Sequence, residues 1–112
     1  MFPTRVLLSY TVRLTLFTRP NCSLCDTSKQ VVANVQKHRK FDYSEIDVMM
    51  PGNKVWKDVY EIDVPVLHVQ AFRVRSSATR GPETASELRK LFHRFTEQEV
   101  EKLVDSAEEE LP

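Results

Sequence analysis

Among 112 residues there are only two glycines, Gly52 and Gly81. That leaves no Gly-rich loop to cradle a phosphate, and it excludes nucleotide binding of the P-loop or dinucleotide kind. No apolar run approaches the roughly 20 residues that a membrane-spanning helix needs. Neither sign of charge dominates: 16 Lys and Arg balance 16 Asp and Glu. Nothing in that balance draws the chain to nucleic acid or a membrane surface. Cysteine is scarce as well. Cys22 and Cys25 are the only two, and a pair so close can bridge nothing but its own turn. A disulfide scaffold joins distant segments, so this pair is a local chemical site instead.

What is present suits one globular domain with one core. Hydrophobic residues make up 41% of the chain, too many for disorder, and the 29% that are charged supply a solvated surface. The first 19 residues carry Arg5, Arg13 and Arg19 and no acid, a faint likeness to a mitochondrial leader. The apolar part, Val6 to Leu8, is too short for a secretory signal. Two neighbouring cysteines fit a reducing compartment, so the expected location is the cytoplasm, with the mitochondrial matrix as the alternative.

Periodicity divides the chain into elements. Val12 to Thr18 is β-branched and aromatic and stops at Pro20, which predicts a buried strand. Leu24, Ser28, Val31, Val32 and Val35 then recur at helical spacing. Asn21 or Cys22 stands at the start of that helix, Asp26 lies in its first turn, and Lys37 to Lys40 close it with the complementary charge. Phe41 to Val48 reads as a second strand, parallel to the first through a right-handed crossover. Asn53 is set to cap a short helix over Lys54 to Glu61, with Val55, Trp56, Val59 and Tyr60 as its apolar side. Val64 to Gln70 is a third strand that opens at a proline. Thr96 to Glu99 forms a capping box for a last helix, whose Glu108 to Glu110 oppose the dipole and should fray. Between these, residues 72–83 read as an exposed, arginine-bearing loop. Lys90 to Phe95 fits a helix or a strand equally well.

The order of these parts, with Thr18-Arg19-Pro20-Asn21-Cys22-Ser23-Leu24-Cys25 and Asp63-Val64-Pro65-Val66, resembles the glutaredoxins of the thioredoxin-fold superfamily. PGNKVWKDVYEIDVPVLHV and KLFHRFT are similar to a small, little-characterised glutaredoxin-like group. Leu16 stands where thioredoxins usually keep a buried acid, and no Trp precedes Cys22; both favour the glutaredoxin branch. The resemblance implies an α/β fold, a four-stranded mixed sheet flanked by about three helices. It makes residues 1–112 a single domain with its core at 12–110. It also assigns Lys90 to Phe95 as the fourth strand, with residues 71–88 as an insertion in the hairpin before it and a helical turn near 83–89.

For the site, the resemblance implies that Cys22 is the nucleophile and Cys25 the resolving thiol. Arg19 matches a basic position that contacts a glutathione carboxylate, Val64 the residue whose backbone pairs with glutathione, and Pro65 the cis-proline. Glutathione would then be a co-substrate, and the partners would be protein disulfides or glutathionylated proteins met by a monomer. The Gly-Gly pair that glutaredoxins carry before the last helix is replaced here by Arg94 and Phe95.

Chemistry supports the pairing. Disulfide exchange needs a thiolate and a second thiol in reach. A helix N-terminus lowers the pKa of a cysteine held there, and Arg19 adds a cation. Zinc is a lesser use of the pair: Cys22-x2-Cys25-x12-His38 fits three ligands of a finger, but Asp42, Tyr43 and Ser44 stand where the fourth belongs. No metal and no nucleotide is therefore expected, and a metal or Fe–S carrier ranks below two other readings: an oxidoreductase, and a binding module that turns over poorly. Outside the pair, His68 and His93 should face one another on neighbouring strands. Trp56 and Tyr60 belong to the core. Arg73, Arg75 and Arg80 make either a solvated face or a surface for an acidic partner.

Overall fold

The computed structural model describes residues 8–75 and 84–111. In chain order the elements are β1 (Leu8–Thr18), α1 (Ser23–Gln36), β2 (Asp42–Asp47), α2 (Lys54–Tyr60), β3 (Val66–Arg75), β4 (Thr84–Ala85), β5 (Arg89–Phe92) and α3 (Glu97–Glu110). β2 lies parallel to β1, and β3 runs antiparallel to β1 on its other side. The two short strands β4 and β5 follow one another along the free edge of β3, pairing with Phe72–Arg73 and with Val66–Val69 respectively. Four strand positions are thus filled, the last by two pieces. The α/β class, the mixed sheet and the three helices agree with the sequence reading.

Alternation along the strands makes two different faces. Val12, Leu14 and Leu16 of β1 and Leu67, Val69 and Ala71 of β3 point one way, each 3% exposed or less. Against them pack Val32 and Val35 of α1 and Val100, Val104 and Ala107 of α3. On the opposite face Phe17 and Val66 join Tyr60 of α2, Val48, Val64 and Cys25 in a second cluster. Only α2, seven residues long, covers that side among the described residues.

Several boundaries differ from the sequence reading. β1 begins at Leu8 and β3 continues to Arg75, because each lends the other partners: Leu8 pairs with Arg75 and Val12 with Ala71. Arg73 and Arg75 therefore belong to a strand rather than to a loop, and the 71–88 insertion contracts to the part beyond Arg75. Arg80 lies outside the described residues. Among the described residues of the span 83–89 no helical turn forms: Thr84–Ala85 is strand, and residues 86–88 are irregular. The fourth strand ends at Phe92 instead of Phe95, because His93 adopts a left-handed conformation (φ 63°) and Phe95 turns into the core.

The basic residues 37–40 lie just past α1, and two of them, His38 and Arg39, act between helices together with Asn34 of α1. Asn34 donates to Glu97 (2.9 Å), His38 meets Glu101 (2.7 Å), and Arg39 bonds Asp105 (2.8 Å) and Glu108 (3.4 Å). α3 does not fray at its acidic end. It stays helical to Glu110, whose carboxylate accepts from Arg89 (2.8 Å) and from the Glu87 N–H (2.9 Å). Those partners hold the Glu110 carboxyl below its usual pKa, the Arg89 hydrogen bond being the largest cause.

Candidate redox site

β1 delivers the chain to the site and α1 receives it. Thr18 is buried at the strand end, while Arg19 and Pro20 are exposed beyond it. Asn21 turns the backbone through the left-handed region (φ 59°), a conformation Asn tolerates better than most residues. Cys22 then occupies the N-cap of α1 with extended backbone, and its Sγ accepts the Cys25 N–H at 3.1 Å. A sulfur in the place of the usual capping oxygen thus faces the helix's free N–H groups and the positive end of its dipole. Asp26 follows in the first turn, exposed.

The two cysteines are joined as a disulfide, with Cα atoms 5.2 Å apart. Their surroundings differ. Cys22 is half-buried, whereas Cys25, one turn inside the helix, is 1% exposed. Cys25 belongs to the cluster of Phe17, Val48, Tyr60, Val64 and Val66, and Cys22 packs against its edge. The fold therefore brings Val64, 42 positions away by the residue numbers, to the side chains of the pair. The Val64–Pro65 bond is cis, and Pro65 is fully buried. The Val64 N–H donates to the Tyr60 carbonyl (3.0 Å), and the Pro65 carbonyl accepts from the His93 N–H (2.8 Å).

The histidines are placed otherwise than the sequence reading had them. His68 stands opposite Lys90 in the β3–β5 register, and His93 lies past the end of β5, so the two do not face each other. His68 instead meets the Tyr60 hydroxyl at 2.8 Å through Nε2. Phe17, Trp56, Tyr60 and His68 surround one another with ring centroids 4.6–5.9 Å apart, and Trp56 and Tyr60 stack nearly parallel (4°). Tyr60 is a core residue as expected, whereas Trp56 is only partly buried and packs against that core, and Val55 and Val59 of the same helix point to solvent. Burial, and then the Lys90 charge, lowers the His68 pKa to about 4, so the imidazole is neutral at pH 7. The Tyr60–His68 contact had no signal in the sequence, since it depends on how α2 crosses β3. Among the described residues no group of three or more His, Cys, Asp or Glu is arranged to hold a metal ion.

The chain is similar to known proteins in sequence and in fold. A family model described as "Glutaredoxin-like domain (DUF836)" matches residues 13–105. The "Glutaredoxin-like protein YDR286C homolog" of Dictyostelium discoideum is 32% identical over 68 residues, 56% of this chain and 63% of that protein's length. The chain thus aligns to less than two thirds of that relative. A structural-genomics protein from X. campestris superposes with a TM-score of 0.54 at 22% identity, over 84% of this chain and 97% of the other. A thioredoxin from Halobacterium salinarum gives 0.57 at 20% identity, over 90% and 78%. At such identities these two show the fold alone, a thioredoxin fold. With the family model spanning both the Cys22–Cys25 pair and Val64–Pro65, the chain belongs to the glutaredoxin-like domain family.

Proposed function

We propose that the protein is a thiol–disulfide oxidoreductase, with Cys22 attacking and Cys25 resolving. The observation that carries this reading is the asymmetry of the pair. Cys22 is accessible at a helix N-cap that stabilises a thiolate, and Cys25 is buried one turn behind it within disulfide reach. In the reduced protein the Cys22 thiolate attacks one sulfur of a substrate disulfide and expels the other as a thiolate. Cys25 then gives up its proton and attacks Cys22 Sγ. The second substrate thiolate leaves, the Cys22–Cys25 disulfide forms, and the substrate has gained two electrons. Two thiols of glutathione, or a thioredoxin-type reductase, return the pair to the dithiol.

Protein disulfides and glutathionylated proteins are the proposed substrates, met by a monomer in a reducing compartment, cytosol or mitochondrial matrix. Exposed Arg19 and the segment at Val64 and Pro65 are the proposed contacts for glutathione. A second reading, a binding module with poor turnover, draws on one specific feature. The Val64 N–H is already committed to Tyr60 within the chain, so a docked glutathione does not find it free.

Glutathione-dependent reduction of a small mixed disulfide, coupled to glutathione reductase, separates the two. The oxidoreductase reading expects turnover in the wild type and loss of at least a hundredfold in Cys22→Ser. Cys25→Ser should accumulate a mixed disulfide or keep only a one-thiol activity. Absence of turnover with both glutathione and a thioredoxin reductase as donor would leave the binding reading.

A further inference from the structure

Among the described residues, the side of the sheet away from α1 and α3 is only partly roofed. α2 covers its end beside the disulfide, where Phe17 and Val66 lie. Farther along, Thr15 pairs with His68 and Arg13 with Gln70, and these cross-strand neighbours form the floor of a cavity of about 180 Å³. Trp56 closes one end, Phe72 lies at the other, and Leu88 stands at the side. The Arg13 guanidinium rests over the Phe72 ring, 4.7 Å from its centroid.

We propose that this cavity is a binding site for a small aromatic carboxylate. Trp56, His68 and Phe72 each bring an aromatic ring to the lining. Tyr60 covers one face of Trp56 and Arg13 one face of Phe72, which leaves edges and the remaining faces to meet one more ring. Among the described residues of the lining the charge comes from Arg13, and none is an Asp or Glu. Asp42 is the neighbour of Arg13 on β2, yet the two form no ion pair, nor does Arg13 pair with any other acid among the described residues. His68 is neutral at pH 7, so it adds a polar edge without a second charge. A guanidinium offers a carboxylate two parallel N–H donors, and Thr15 holds a hydroxyl on the same floor. The volume falls below the 300–1,000 Å³ or so of a drug-sized pocket, which limits the occupant to about one ring and its acid group. The site is independent of the redox reading, since none of its residues is a cysteine or a proposed glutathione contact.

Trp56 is the single tryptophan of the chain, so its indole reports on occupancy. The test is to titrate isotope-labelled protein at pH 7 with benzoate, with its neutral amide and with acetate. Amide and indole resonances are followed throughout. Benzoate should give saturable shifts confined to Arg13, Thr15, His68, Gln70, Phe72 and the Trp56 indole. The neutral amide should bind at least tenfold more weakly, and acetate should leave those resonances unmoved. Arg13→Gln should raise the benzoate dissociation constant at least tenfold with the rest of the spectrum unchanged; Phe72→Ala provides a second variant at the opposite wall. The proposal is overturned by non-saturable shifts, by shifts centred on Arg19 and the start of α1, or by equal binding of benzoate to the wild type and to both variants.

Discussion

His68 is where a single residue couples the fold to pH. Its imidazole titrates near 4 in the folded chain against about 6.5 when unfolded. Between those values the unfolded chain binds more protons, so stability rises with pH across the window. The contribution of His68 is complete above about pH 6.5 and lost as pH falls toward 4. Urea unfolding at pH 5 and pH 7.5 should show the midpoint dropping at pH 5, and His68→Gln should lose most of that difference. A mutant with the full wild-type pH response would count against this role. Tyr60→Phe leaves the ring packing and removes the hydroxyl that meets His68. It should cost about 1 kcal/mol, the net worth of one hydrogen bond, measured by the same unfolding at pH 7.5.

At the scale of elements, α3 is held by its start and by one stripe of acids. The Thr96 hydroxyl accepts the Glu99 N–H (3.1 Å) while Glu99 accepts the Thr96 N–H (2.8 Å), a complete capping box. Thr96→Ala should cost about 1 kcal/mol in urea denaturation. Arg39→Ala, which breaks two ion pairs with largely exposed acids, should cost less than about 1 kcal/mol, because water screens such pairs. A reversed order would show that the α1–α3 contacts, rather than the cap, secure the helix. The capping box was legible because it is written within four consecutive residues. So were α1, with Cys22 at its start, and the parallel β1–β2 pair. The length of β3 was not legible, because Phe72 to Arg75 mixes arginines with apolar residues and is strand through its pairing with Leu8 to Thr11 on one side and, at Phe72–Arg73, with β4 on the other. The intact end of α3 was missed for a similar reason: the dipole argument is local, whereas Arg39 and Arg89 arrive from distant positions to meet Glu108 and Glu110. For the site, the Cys22–Cys25 spacing and Val64–Pro65 could be read directly. The aromatic group around His68 is composed across three elements and could not.

Over the whole molecule, the two faces of the sheet should respond differently to substitution. Leu14 has no exposed surface and lies under both long helices, so Leu14→Ala should cost about 2–5 kcal/mol. Val55, on the outer side of α2, is 72% exposed, and Val55→Ala should stay within about 0.5 kcal/mol of the wild type. Thermal and urea unfolding of the pair would check the contrast. The two borders of the sheet differ as well. On one, β4 and β5 lie end to end, so a neighbouring chain would find only a two-residue and a four-residue rail with an irregular step between them. The other border is β2, six residues bearing Asp42, Glu45 and Asp47, with residues 8–12 of β1 continuing it beyond the reach of β2. A second copy aligning there strand against strand would bring carboxylates alongside carboxylates. Among the described residues, neither β2 nor the β4–β5 border gives another chain a long, flat, neutral run of backbone to extend, and along those strands the sheet resists growing by accretion.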